Sequence, residues 1–537
     1  MLLETDVVVV GGGATGAAVL WDLALRGIDA VLIDRDDLGT GTSGRWHGEL
    51  HSGGRYAVKD QVSARECVHE NRVLRAVAPH AIEDAGGWFI LLPEHDQAFG
   101  DRFVRGCKET GIPCEEAPPA EARRAEPGLT DRIERAFRLP TDGGMDSWKL
   151  IWSMAGGARE RGAKVLTRHP LIGFERDADG RITAARVRDL AGGADELLGC
   201  QWVINAAGAW AGQVAAHAGV SLHMIAGKGA MVVMASRYVR SLISHCRMPT
   251  DGDIIVPSHE AAILGTTSTE APDPDDLTID PVEVDLLIDE AAKLVPAIAG
   301  GRVLRAFVGQ RPLYKPPSSG AVSGSTREVS RTFTVLDHAG ADGVPNLLSI
   351  VGGKLTTCRA MAEKVVDALV ARRGTGEACA TATTLLPGAD HGPHRLAQPL
   401  AEVERAGAYG ELVCECELVA GTALRGAIRS GVTELDDLRR QHRFGFGPCQ
   451  GAFCAWRGAA AVEEERAAGR VLAGAAAGDP LDNLRRFLQE RWRGQRAVTW
   501  GGGAVQAMLN NAIYRGIYAL HTVDGAPAAE RGEEGGS

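Results

Sequence analysis

Four cysteines crowd residues 414–454: Cys414 and Cys416 as Cys-x-Cys, then Cys449 and Cys454 as Cys-x4-Cys. Thiols gathered this closely ask for a metal, because the thiolate is the ligand and four thiolates complete a site. The other seven cysteines (67, 107, 114, 200, 246, 358 and 379) stand singly and read as small buried hydrophobes in a reducing compartment. A single tetrahedral zinc usually takes Cys-x2-Cys pairs, whereas four cysteines also meet the ligand count of a [2Fe–2S] cluster. Spacing alone leaves both open.

A second constellation opens the chain. Gly11-x-Gly13-x-x-Gly16 follows the β-branched run 6–10, precedes an apolar-periodic stretch to Arg26, and is followed by Ala30–Ile33 ending at Asp34. Strand, glycine turn, helix and strand, with an acid about twenty residues on, form a dinucleotide-binding βαβ unit. The first two glycines allow a tight turn and close backbone approach to a pyrophosphate. The third lets helix and strand pack. The helix start at Ala14 and Thr15 offers N–H groups to the anion, and Asp34 is placed to accept from ribose hydroxyls. NAD and FAD present the same adenosine and pyrophosphate, so this motif does not choose between them. Two later segments favour FAD. Ile204–Trp210, with Ala207 and Gly208, resembles a second flavoprotein signature, and Ser349–Thr357, with Gly352, Gly353, Lys354, Leu355 and Thr356, reads as a third contact beside the flavin ring.

The elements that must position these groups are those of a large α/β protein. The chain has 537 residues, is 45% hydrophobic and carries a formal net charge of −11 with a pI near 5.8. It offers no sequence-wide basic field for nucleic acid. No apolar run is long enough to span a bilayer and no secretory leader is evident, so the expectation is a cytoplasmic protein touching the inner face of the membrane only peripherally or through partners. Strand-like runs alternate with helical patterns to about residue 385, predicting one FAD-binding and substrate-binding body over 1–386 with a mixed sheet. The stretch PGADHGPHRLAQP breaks periodicity, and 387–407 reads as a linker. Residues 408–460 form the cysteine module, 461–525 a helical region, and 526–537 a disordered tail. In the module, Leu424–Ile428 and Leu435–Leu438 supply apolar faces separated at Gly431, with Thr433 and Asp436 as a capping-box-like start.

Residues 40–57, TGTSGRWHGELHSGGRYA, are too polar and glycine-rich for an ordinary core crossover and suit a ligand, with Thr42 and Ser43 at its cofactor end. Together with Gly-Lys-Gly at 227–229, Gln310–Leu313, Ser330–Arg331 and the GGKLTT run at 352–357, this loop resembles the FAD-dependent glycerol-3-phosphate dehydrogenases. With the C-terminal cysteines, the resemblance is to the catalytic A subunits of the anaerobic type, over about residues 4–520.

The resemblance implies a D-amino-acid-oxidase-like flavoprotein fold, with FAD and, on the four cysteines, a [2Fe–2S] cluster like that of bacterioferritin-associated ferredoxin. It implies oxidation of sn-glycerol 3-phosphate to dihydroxyacetone phosphate, hydride passing to flavin N5 and electrons leaving through the cluster to partner subunits and a quinone. Arg55, Arg311, Arg331 and Lys354 would line the substrate pocket, a set whose charge and fork geometry suit a phosphate dianion. His47 or His51 would accept the hydroxyl proton, with Arg311 stabilising the developing alkoxide. Where aerobic relatives carry a Ser-His pair after Lys-Gly, this chain has Ala230 and Met231, so no role transfers there. Aromatics between Phe487 and Tyr518 read either as packing or as a docking face for partner subunits. Two rival readings stay in view: a flavin dehydrogenase of an amino acid or other small amino or hydroxy compound, and a non-catalytic protein of electron transfer.

Overall fold

A computed structural model describes residues 3–190, 192–316, 326, 329–340, 342–395, 397–472 and 479–519. Strand β1 (Leu3–Val10) carries four consecutive valines, Val7–Val10, at 6% exposure or less. A run apolar on both faces belongs at the centre of a parallel sheet covered on both sides. It leads through the glycine turn into helix α1 (Ala14–Leu25) and on to β2 (Ala30–Ile33), parallel to β1. Helix α2 (Gln61–Val77) follows the polar loop and is capped by the Asp60 side chain on Ser63 N.

Strand β3 (Asp195–Asn205) returns to the other side of β1 in parallel register, Val7 opposite Trp202. The strands Leu171–Arg176 and Ile182–Arg188 extend that edge antiparallel. A second sheet of nine strands, three of them from residues 87–139, forms around β4 (Met224–Met234) and β5 (Val303–Tyr314), which are antiparallel to one another along nearly their whole length. Strand β6 (Leu347–Gly352) goes back to the first sheet, beside β3, and runs into helix α3 (Cys358–Arg373). One sheet therefore holds the glycine turn and the other forms the opposite wall of the cleft.

The cysteine module has its own core. Helices α4 (Gly421–Arg429), α5 (Leu435–His442), α6 (Cys454–Ala467) and α7 (Pro480–Gln495) bury Leu424, Ile428, Leu435, Leu438, Phe444, Val462 and Phe487. Gly431 separates α4 from α5 at φ +103, a conformation costly for any other residue. The Thr433 and Asp436 cap does not form. The helix starts one residue later, after Glu434; its first N–H, on Leu435, is met by Asn483 Oδ1 of α7 at 2.9 Å, and Asp436 pairs with Arg439 at 2.7 Å. A tertiary partner has replaced the local one.

The expected linker at 387–407 is also partly structured. It holds a helix, Ala397–Ala406, and His394 is buried with its N–H on Ile82 O. Helix α8 (Gly501–Asn511) follows α7, whereas the tail 526–537 lies outside the described residues. Among the described residues no helix is long and apolar enough to cross a membrane.

Candidate active site and cysteine centre

The two sheets enclose a cavity of about 1020 Å³. At one end, β1 stops at Val10 and turns at Gly11, φ +109. A Cβ on Gly11 would lie 2.8 Å from Ala206 O, and one on Gly16 would lie 1.8 Å from Gly11 O. Helix α1 starts after Gly13, which has no side chain to cap it; Ala14 N donates to Ser43 Oγ at 3.0 Å. Its N-terminus thus faces the cavity across bare glycine backbone, as a bound pyrophosphate requires.

Asp34 accepts from Gly12 N at 2.6 Å and from Asp36 N at 2.8 Å, and burial raises its pKa. It clamps the turn as well as facing the cavity. Gly11, Gly13, Ala14, Thr15, Thr42, Ser43, Ala207, Gly208, Gly352, Gly353, Lys354, Leu355 and Thr356 share this lining, while Gly16 is set behind it, against the turn.

The other end is cationic. Arg55, Arg311, Arg331 and Lys354 all line it, although the structure divides them into two kinds. Arg55 is paired with Asp253 at 3.0 Å, and Lys354 with Glu66 at 3.3 Å. Arg311 is instead wrapped in neutral acceptors: Thr267 O at 2.8 Å, Ser268 Oγ at 3.3 Å and the Thr266 hydroxyl. Burial, with Arg331 and Arg55 nearby, pulls its pKa down to about 9. Arg331 leaves its Nη1 without a hydrogen bond. Two half-buried guanidinium groups with no carboxylate partner among the described residues form a place for an anion to arrive.

His47 and His51 stand at the same end with rings 5.4 Å apart. Burial lowers the pKa of each to about 3, so both are neutral at physiological pH. Glu49 lies between them, with Oε1 3.0 Å from His51 Nδ1 and its own N–H on His47 Nδ1 at 3.1 Å. Sequence reasoning passes over Glu49, although the signal is there: in an extended run, residues 47, 49 and 51 project to the same side. Tyr56 escapes it too; its ring lies under the Lys354 ammonium, 5.3 Å from the centroid. At the departure point Ala230 is buried in the core and Met231 lines the cavity, giving it an apolar side.

The four module cysteines form a ring in which Cys414 adjoins Cys416 and Cys454, and Cys449 adjoins the same two. Hydrogen bonds from those thiols, and from backbone N–H groups of Glu417, Gly445, Gly451 and Phe453, lower the pKa values of Cys414 and Cys449. Gly447 passes so near that a Cβ there would lie 2.6 Å from Cys416 Sγ. Backbone thus packs tightly around a thiolate-favouring nest.

Comparison with known proteins agrees with this architecture. The profile of the family described as FAD dependent oxidoreductase matches residues 6–367. The A1 subunit of the anaerobic glycerol-3-phosphate dehydrogenase of Haloferax volcanii is 38% identical over 96% of this chain and 90% of the relative. The A subunit of the anaerobic glycerol-3-phosphate dehydrogenase of Escherichia coli K12 is also 38% identical, over 96% of this chain and 97% of that one. Among solved structures, the glycerol-3-phosphate dehydrogenase of Bacillus halodurans complexed with FAD superposes with a TM-score of 0.57 at 20% identity, covering 96% of this chain and 88% of that chain. L-proline dehydrogenase from P. horikoshii gives a TM-score of 0.56 at 20% identity, over 74% of this chain and 99% of its own.

Proposed function

This chain belongs to the FAD dependent oxidoreductase family, together with the A subunits of anaerobic glycerol-3-phosphate dehydrogenase, and from that premise we propose that it oxidises sn-glycerol 3-phosphate to dihydroxyacetone phosphate. The observation that carries the reading is the pair Arg311 and Arg331, half-buried cations with no carboxylate partner among the described residues, at the polar end of a dinucleotide cavity. A carboxylate substrate needs one such fork, whereas a phosphate dianion can engage both.

The residues present fit FAD. The glycine cradle has no room for Cβ atoms, the helix terminus opens on the cavity with no cap from its own N-cap residue, and the cavity is large enough for a dinucleotide with a small substrate beside it. Bound there, the flavin supplies the acceptor for the hydride leaving C2. The chain does the remaining work. Arg311 and Arg331, supported by Arg55 and Lys354, hold the phosphate and place the C2 oxygen near Arg311. His47 or His51, neutral and in the same cavity, takes the hydroxyl proton, and the Glu49 carboxyl, 3.0 Å from His51 Nδ1, lies beside the ring that would then gain charge.

Because burial keeps both histidines neutral down to about pH 3, kcat stays within about twofold from pH 5.5 to 8. The free substrate's own phosphate, with a pKa near 6, bends only kcat/KM. A kcat profile with an acid limb centred near 6.5 counts against both histidines as the base.

The cysteine ring suits a [2Fe–2S] cluster. Four ligands of one tetrahedral zinc would sit about 3.8 Å from one another by its bond lengths. Here no three of the sulfurs fall mutually within 4.8 Å among the described residues. A cluster supplies one-electron transfer beside a two-electron site. The outlet is then a partner protein on the inner face of the membrane, ending at a quinone. Helix α8 and its continuation expose Val505, Met508 and Ile517 at 67–73%, an apolar surface fit for such a partner.

The test is to add sn-glycerol 3-phosphate to the anaerobic holoprotein and follow the flavin band near roughly 450 nm. Bleaching by the phosphate ester and not by glycerol or amino acids is expected. Bleaching by an amino compound instead gives the amino-acid dehydrogenase reading, and bleaching only with a partner present gives the electron-transfer reading. In Cys416→Ser the iron is lost while the ester still bleaches the flavin; retained iron overturns the cluster assignment.

A further inference from the structure

A second cavity, of about 370 Å³, lies where the cysteine module meets the flavin-binding body. Its walls are the back of the loop that lines the first cavity, the face of β5, and helices α5 and α7. Arg45 and Trp46 are common to both cavities.

The charges around it divide unevenly. Asp37, Asp146, Asp436, Asp437 and Glu417 are each paired with an arginine: Arg440 reaches Asp37 and Asp437, Arg443 reaches Asp146 and Glu417, and Arg439 reaches Asp436. Asp36, Glu434 and Glu490 pair in turn with Arg35, Arg486 and Arg493, which leaves Arg45, Arg305 and Arg491 with no carboxylate partner among the described residues, and of these Arg305 and Arg491 carry buried nitrogens without a hydrogen bond. Arg491 is 2% exposed, gives Nη2 to the Gln450 side chain, and leaves Nε and Nη1 unmet. Arg305 leaves Nε unmet on the same cavity. Three buried guanidinium nitrogens from two arginines are thus unsatisfied at the wall of one chamber.

An orphaned buried cation is among the most costly features a fold can keep, and a structure retains one where something comes to meet it. We infer that this chamber binds a phosphate group, held by the forks of Arg305 and Arg491, as a second anion site distinct from the substrate cavity. Two forks on the wall of one chamber suit a tetrahedral oxyanion. The volume admits inorganic phosphate or a small phosphate ester. The cations also depress one another: burial and the nearby arginines lower the pKa of Arg491 well below its usual value, a penalty that an anion relieves. Phosphate here would also brace the module, since Gln450 follows Cys449 and Arg491 holds it.

Equilibrium binding of inorganic phosphate to the FAD-loaded chain tests this. The wild type is expected to bind two equivalents. An Arg55→Ala/Arg331→Ala variant, crippled in the substrate cavity, keeps one. Arg305→Met/Arg491→Met also keeps one, and it folds, because replacing buried unpaired charge by apolar side chains of similar length is commonly neutral or stabilising. Competition by sn-glycerol 3-phosphate on enzyme already reduced distinguishes the sources: displacement of both equivalents means the second site accepts the ester, and displacement of one means it selects inorganic phosphate.

The inference is overturned if the substrate-cavity variant binds no phosphate, or if Arg305→Met/Arg491→Met binds as much as the wild type. Should the methionine variant fail to fold, the substrate-cavity variant decides alone. If instead the substrate reading is the one at fault, the wild type binds a single equivalent and loses it with Arg305 and Arg491.

Discussion

Arg311→Ala lowers kcat/KM for sn-glycerol 3-phosphate by roughly 10³-fold and leaves the flavin in place. The size follows from what the guanidinium is asked to do. It is half-buried, held by Thr267 O, Ser268 Oγ and the Thr266 hydroxyl, and has no carboxylate partner among the described residues. Its full charge is therefore available to the substrate oxygen and phosphate in a poorly solvated site. Removal of one preorganised donor alone costs about 10²–10³ in rate, and the loss of a phosphate fork adds to it.

The flavin stays because none of those partners belongs to the glycine cradle at Gly11–Gly16. Arg311→Lys keeps charge but not the fork and recovers only part of the rate. Gly229→Ala should mimic the loss at a distance, since its Cβ would lie 2.6 Å from Arg311 Nη2 and push the group aside. Steady-state kinetics with the flavin-to-protein absorbance ratio checks all three; unchanged kcat/KM in Arg311→Ala removes that residue from the mechanism.

The second large effect is on cofactor retention. Gly16→Ala yields a chain purified essentially without flavin. The new Cβ would sit 1.8 Å from the Gly11 carbonyl oxygen, and the obstruction is backbone, which cannot swing away as a side chain can. Either α1 withdraws from β1 or the turn opens, and both displace the N–H groups that meet the pyrophosphate. The control is Gly156→Ala, in the helix Ser147–Glu160, where a Cβ meets nothing within 4 Å. That change keeps full flavin and gains about 0.4–1 kcal/mol from the unfolded chain's lost freedom. Flavin content per chain, measured after denaturation, distinguishes them; a Gly16→Ala protein with full flavin contradicts the tight-turn argument.

What can be read from the residues is what steric necessity dictates locally. Gly11 and Gly16 announce a turn because no other residue fits there, and the valines of β1 announce a central strand because both faces are apolar. Cys414, Cys416, Cys449 and Cys454 announce a common centre because so many thiols are seldom gathered otherwise. What stays hidden depends on partners distant in the chain. The start of α5 is displaced from its expected position because Asn483, 48 residues on, caps Leu435 in place of Thr433. The helix 397–406 reads as linker because its proline and polar residues mask a short amphipathic pattern. Glu49 escapes notice although alternation marks it, since a single acid beside two histidines reads as solvated until burial is known. Arg305 and Arg491 look in sequence like any surface arginine; only the packing of α7 onto β5 shows them enclosed.

The first sheet has a temporal consequence. Its central strands come from residues 3–10, 30–33, 195–205 and 347–352, so the edge of β3 has no β6 beside it until some 350 residues have been made. From the completion of β3 at residue 205 that is a wait of about 145 residues, or roughly 7–30 s at about 5–20 residues per second. Through that interval the nascent chain carries an apolar, half-built platform, and neither flavin nor the downstream module can stabilise it. Chaperone capture and ambient flavin supply, rather than final stability, are then expected to govern how much active protein a cell accumulates.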